Sequence, residues 1–142
     1  MIHTMKPGVD TVVDAAETLR KRGHKVQFMP GPSGDRHLVD GYQYTSAEVI
    51  FLVQNNLKPG TEIWRRVALH HEPDLEATGL MSAVARAYQA EEMPEGVDVY
   101  RAPASGGIVY YFSPQASAFI RSGTEFTLCV KPELTSLRKV QF

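Results

Sequence analysis

Cysteine and tryptophan each occur once among 142 residues. A single cysteine, Cys129, excludes an intrachain disulfide and fits a reducing compartment. It lies in the apolar run "FTLCV" with no adjacent charge to activate a thiolate, so its expected role is that of a small hydrophobe. An excess of one sign of charge is also missing. Fifteen Lys and Arg face 16 Asp and Glu, a net charge of −1, so no global basic field draws in nucleic acid. The longest apolar run, "VIFLV" at Val49 to Val53, is far too short to span a bilayer. The opening "MIHTMKPGVD" has no apolar core of the kind a secretory signal needs. A soluble, cytoplasmic protein is the expectation. No H-E-x-x-H, paired-cysteine or phosphate-loop spacing is present, so neither a metal nor a cofactor is expected.

With 43% apolar and 22% charged residues, the chain can bury a core without a staple. It reads as one compact domain over 1–142. Val9, Val12, Val13, Ala16 and Leu19 recur at helical spacing. Arg20, Lys21 and Arg22 suit the negative end of that helix, and Gly23 suits its left-handed C′ position. "HKVQFM" reads as a strand, "PGPSGD" as a loop and "HLVDGYQY" as one further strand. Thr45 and Glu48 have capping-box spacing and open a helix through "AEVIFLVQNNL". "TEIWRRVALHH" is strand-like. A helix over about 75–92 follows, then strands "VDVYRA" and "IVYYF" around the turn "PASGG". A short helix opens at Ser113-Pro114, and "TEFTLCVKP" is a closing strand.

This order suggests one plan laid down twice. Gly23 matches Gly96, Ser33-Gly34 matches Ser105-Gly106, Ser46 matches Ser113, and the "GTE" at Gly60 returns at Gly123. The expected fold is α+β: a duplicated α-β-β-α-β unit of ferredoxin-like topology, mostly antiparallel sheet with helices packed on one face. The pseudo-repeats would span 8–70 and 71–132, with a tail over 133–142.

Polar side chains are densest in "HHEPDLE". His70 and His71 at a strand end point to opposite faces, a poor geometry for one metal. Either one, oriented by Glu72, would serve as a general acid or base. The plainer reading is a strand end followed by a helix start, with Asp74 and Glu76 in the first turn. On "HLVDGYQY", Leu38, Asp40, Tyr42 and Tyr44 share one face at period two. The repeat sets Ile108 where Asp40 stands. A carboxylate on a core face titrates high and marks functional sites. The plainer alternatives are a bulge at Gly41 that turns Asp40 outward, or a tyrosine hydroxyl that satisfies it. Arg36 and His37 border the first hairpin turn. Tyr42, Tyr44, Tyr100, Tyr110, Tyr111 and Phe112 form aromatic rows, one row expected in the core and the other half exposed.

Arg20, Lys21, Arg22 and Lys25 are basic, whereas Glu91, Glu92, Glu95 and Asp98 are acidic. Glu91 and Glu92 stand at an expected helix C-terminus, where the dipole disfavours them, so "RKRGHK" of one unit or chain would face "AEEMPE" of another; the plainer reading is two solvated helix ends. Together these features read as a non-catalytic binding or regulatory protein (an inhibitor, immunity-type, adaptor or accessory protein). It would act through a protein interface with a partner or a second copy. The alternative is a small cofactor-independent enzyme or small-molecule-binding protein, using Asp40, His70 or His71 with tyrosines in a pocket between sheet and helices. Nucleic-acid binding is disfavoured, because "GGIVYYFSP" lacks interleaved Lys, Arg and glycine of the RNP type.

Overall fold

The structure, a computed structural model, describes residues 11–32, 34–70, 86 and 96–140. It is α+β with two antiparallel sheets, and the chain divides into two compact units, Met1–Thr61 and Glu62–Phe142.

The first unit runs α1 (Val12–Lys21), β1 (Val26–Met29), β2 (Arg36–Val39), β3 (Tyr42–Tyr44), α2 (Ser46–Gln54). Local chemistry sets both helices. Thr11 caps α1 by accepting from the Asp14 N–H. At its far end Gly23 N–H bonds Arg20 O and His24 N–H bonds Leu19 O, both at 3.0 Å, with Gly23 at φ 92°. This is a Schellman closure, and glycine takes the left-handed turn without strain. The buried stripe of α1 is Ala15, Ala16 and Leu19. Val13, expected in it, faces solvent instead. The capping box of α2 is formed, with Glu48 N–H donating to Thr45 Oγ1 and Thr45 N–H to Glu48 Oε1. The two helices pack on each other, with α1 against β1 and α2 against β2 and β3.

The expected single strand "HLVDGYQY" is a hairpin. Val39 pairs with Tyr42, leaving a two-residue loop of Asp40 (φ 51°) and Gly41 (φ 88°). Both positive φ values define a type I′ turn, for which Asp-Gly is among the favoured sequences, and its twist matches that of the flanking strands. Tyr42 and Tyr44 therefore share a face with His37 and Val39, and Leu38 is on the other. Val26, His37, Val39 and Tyr44 point to the helices and are buried. Leu38 lies on the other side, beside Gln27, Met29, Arg36 and Gln43.

The second unit contains β4 (Ile63–Leu69), β5 (Val99–Ala104), β6 (Gly107–Phe112), α3 (Pro114–Ser117), β7 (Thr127–Val130), a 3-10 turn (Leu134–Ser136) and β8 (Arg138–Lys139). Its strand order is β7-β4-β6-β5-β8, and every pairing is antiparallel. Ser113 caps α3 through Ala116 N–H. The same oxygen accepts from Asp98 N–H at 3.0 Å and donates to Gly96 O at 2.6 Å, tying the end of β6 to the start of β5. The core is Val67, Val99, Tyr110, Phe112 and Ala116, with Leu69, Ile108, Phe119 and Ile120 packed around it. Pro103 sits inside β5 rather than in the expected turn. Its nitrogen faces the sheet edge beyond the end of β8, where no partner strand needs an N–H.

The first sheet is a meander in sequence order, β1-β2-β3, unlike the second. The strand expected to close the first repeat, β4, is hydrogen-bonded between β6 and β7 of the second unit. One plan laid down twice does not describe these elements.

Candidate functional site

The Asp-Gly turn makes Asp40 a structural anchor. Its N–H donates to Lys25 O at 2.8 Å, and its Oδ1 accepts Lys25 N–H at 2.8 Å. Its Oδ2 lies 2.7 Å from His24 Nδ1. Three bonds thus pin the turn to the segment that ends α1. The carboxyl titrates below its usual range, first because of the Lys25 N–H and then because of the His24 ring. Of the readings of Asp40, the core-face carboxylate with a raised pKa does not fit: the residue is exposed and its carboxyl titrates low. The hairpin turn, and not a bulge at Gly41, carries it out of the sheet. What the arrangement presents is an imidazole oriented through Nδ1 by a carboxylate, at the surface.

His37 is buried on the helix-facing side of β2, its Nε2 3.1 Å from Ser46 Oγ in the first turn of α2. The Phe28 ring lies 5.3 Å away, centroid to centroid. Burial lowers the pKa of His37. The Asp35 carboxylate opposes this shift, and Arg20 adds to it. The ring is thus a neutral strut between strand and helix rather than an exposed binding group. Arg36, beside it, is half-buried and donates to the Asp35 carbonyl at 3.1 Å. Tyr44 is also consumed inside the unit. Its hydroxyl donates to Thr61 O at 2.9 Å and accepts from Gly60 N–H at 2.7 Å, and burial raises its pKa. Tyr42 stays exposed, with its ring against Gly60. Arg20 is exposed yet donates to Val26 O at 3.0 Å, and Arg22 is the exposed C-cap residue of α1.

In the second unit Tyr110 is fully buried in the core, which removes it from the expected binding set. Tyr111 is half-buried on the opposite sheet face, in register with Arg66 and Tyr100. On that face the Trp64 ring lies 6.0 Å from Tyr100, and its indole N–H donates to Glu62 at 2.9 Å. With Tyr44, Tyr110 and Phe112 buried, the aromatic rows do not form one stacking platform. His70 follows β4 at the rim of a shallow hollow of about 150 Å³, shared with Leu69, Ala104, Ser105, Gly106 and Ile108. His71, Glu72, Asp74, Glu76, Glu91 and Glu92 lie outside the described residues.

Among the described residues, no group of three or more His, Cys, Asp or Glu could hold a metal ion. Among them, too, no helix is long and apolar enough to cross a membrane. Cys129 is half-buried, and burial raises its thiol pKa. Two partners were missed in the sequence: His24 for Asp40 and Ser46 for His37. Asp-Gly between two apolar runs was the available signal for the first, because the hairpin returns Asp40 to the end of α1. No family model, curated protein or solved structure matches the chain.

Proposed function

We propose that the protein is a non-catalytic binding or regulatory protein that acts through a protein interface, with the first sheet as its contact surface. One observation carries the reading. Three large apolar side chains on that small sheet stay in solvent: Phe28 (55% exposed) and Tyr42 (54%) on its helix-facing side and Met29 (47%) on the other. Phe28 and Met29 stand on either face of the edge strand β1, so a partner that takes up that edge would cover both. Arg20, Arg22 and Lys25 are exposed within the same unit, so the partner is a protein whose patch is apolar and edged with acid. The ionisable groups Asp40, His37 and Tyr44 serve the fold, which supports binding over catalysis. The lone half-buried thiol supports a cytoplasmic setting.

The test is recovery of a partner from native lysate on the full chain and on a Phe28→Asp/Met29→Asp variant whose circular dichroism matches the parent. A protein retained by the parent and lost by the variant is expected. Equal retention by both would sink the reading.

The strand order of the second unit supports a finer proposal on topology. β4, β5, β6 and β7, taken as strands one to four, lie in the order 4-1-3-2, the ferredoxin-like arrangement, with β8 added beside β5. Cross-strand amide contacts in solution that pair β4 with β5 instead of β6 would overturn it.

The oriented imidazole at Asp40 favours a second reading, a small cofactor-independent enzyme. Turnover of any member of an ester, phosphate and carbonyl substrate panel, abolished by His24→Ala, would favour it over the binding reading.

A further inference from the structure

We propose that two copies of this chain join edge to edge through β7, in an antiparallel register centred on Leu128. The inference concerns the second unit and does not rest on the partner surface assigned to the first.

Backbone geometry comes first. Among the described residues β7 is an outermost strand, paired only with β4. Lys131 N–H bonds Glu62 O at 3.2 Å, and antiparallel bonding alternates along a strand. Lys131, Cys129 and Thr127 therefore spend their backbone groups on β4. Val130, Leu128 and the adjoining Phe126 turn theirs outward, where another strand could take them.

Side chains come second. Phe126 (45% exposed) and Val130 (44%) remain in solvent, and Leu128 between them is half-buried. All three lie on one face of the sheet. The Arg65 guanidinium sits 5.0 Å over the Phe126 ring and fixes it at the rim. An uncharged, exposed edge strand is a template for pairing unless something covers it.

What chooses a second copy as the occupant is the order of residues about Leu128. Phe126 and Val130 are equidistant from it, as are Thr127 and Cys129, and Glu125 and Lys131. Antiparallel pairing about a two-fold axis at Leu128 sets leucine against leucine and Phe126 against the second copy's Val130. It sets Glu125 against the second copy's Lys131. Apolar meets apolar at the three outward positions, acid meets base at the flanking Glu125 and Lys131, and a two-fold contact requires such self-complementarity. A foreign strand would have to match this pattern by chance.

Thr127 and Cys129 would then face each other across the axis as a non-hydrogen-bonded pair. Such pairs have Cα atoms about 4.5 Å apart, within disulfide range.

The experiment uses the full chain and sedimentation equilibrium over a wide concentration range. The parent is expected to show a reversible monomer–dimer equilibrium. Glu125→Lys and Lys131→Glu each place like charges opposite at both ends, so each is expected to raise the dissociation constant about tenfold. An equimolar mixture of these two exposed-site variants restores opposite charges at both ends, and so does the double variant in one chain. Both should recover parental affinity. Thr127→Cys should give a covalent dimer under mild oxidation, and the parent should not. A parent that stays monomeric throughout, with no covalent dimer from Thr127→Cys, overturns the proposal and leaves the β7 edge to a strand of another protein. Dimers that weaken in the single variants without recovery in the mixture overturn the register and the proposal with it.

Discussion

His24 Nδ1 and Asp40 Oδ2 meet at 2.7 Å at the turn of the β2–β3 hairpin, sixteen positions apart in the chain. The contact closes a small polar knot in which Lys25 N–H and the Asp40 N–H also take part. It belongs to architecture first: it fixes where the hairpin lies against the end of α1.

A pH dependence follows. The folded Asp40 carboxyl titrates below its unfolded value, so its contribution to stability is fully present above the unfolded pKa, near 3.9. That contribution is lost as pH falls through the lower folded pKa. Asp40→Asn can keep the left-handed turn but not the charge. Urea midpoints taken from pH 6 down to pH 2 should fall less steeply for Asp40→Asn than for the parent. Parallel curves would show that the carboxylate does not anchor the turn.

His37 acts at higher pH, also in the direction of loss on acidification. Burial depresses its folded pKa below the unfolded value near 6.5, so the unfolded chain takes up a proton first. Stability from the neutral ring is complete above pH 6.5 and declines as pH falls through the folded pKa. The groups acting on it are Asp35, which opposes the shift, and Arg20, which adds to it. His37→Gln should flatten thermal midpoints between pH 7 and pH 5. It should also lower stability at pH 7.5, because Ser46 loses a well-placed partner.

Tyr44 holds two backbone groups of the loop after α2. Tyr44→Phe leaves the Thr61 carbonyl and the Gly60 N–H without that hydroxyl. The expected cost is about 1–3 kcal/mol by urea denaturation, typical of orphaned part-buried polar groups. A change below about 0.3 kcal/mol would mean that water replaces the hydroxyl at no cost.

Gly107 opens β6 against the end of β4, and a Cβ there would overlap the Leu69 carbonyl oxygen. Gly107→Ala is therefore expected to cost about 1–3 kcal/mol, as overpacking does. Gly123→Ala is the comparison: open space surrounds that position, and only its positive φ is strained. The larger loss at Gly107 should appear in hydrogen exchange at the paired Leu69 and Ile108 amides.

Features set within a few residues were the ones legible in the chain. Thr45 with Glu48, Gly23 after α1 and Ser113 before Pro114 each satisfy neighbouring backbone groups, and all three appear in the structure as read. Asp40 was misread because alternation carried one strand through a turn whose residues, Asp-Gly, break it. His37 looked like a turn-side binding group because its partner Ser46 comes near only after the hairpin folds back. Tyr110 and Tyr111 are neighbours, and pleating alone sends one to the core and the other to the opposite face. Which of the two goes inward depends on the pairing with β4, and nothing local specifies that register. Sheet membership of β4 is non-local in the same way.

The short, doubly cationic β8 has a consequence for aggregation. Open-ended fibrils of stacked strands need two receptive rims on each molecule. Arg138 and Lys139 are both exposed, Lys139 paired with Asp98 at 3.0 Å, and that rim offers only two residues of backbone beside the Arg138 charge. Whatever adds to β7, the five-stranded sheet can be extended from that flank alone, so ordered growth terminates after a single addition.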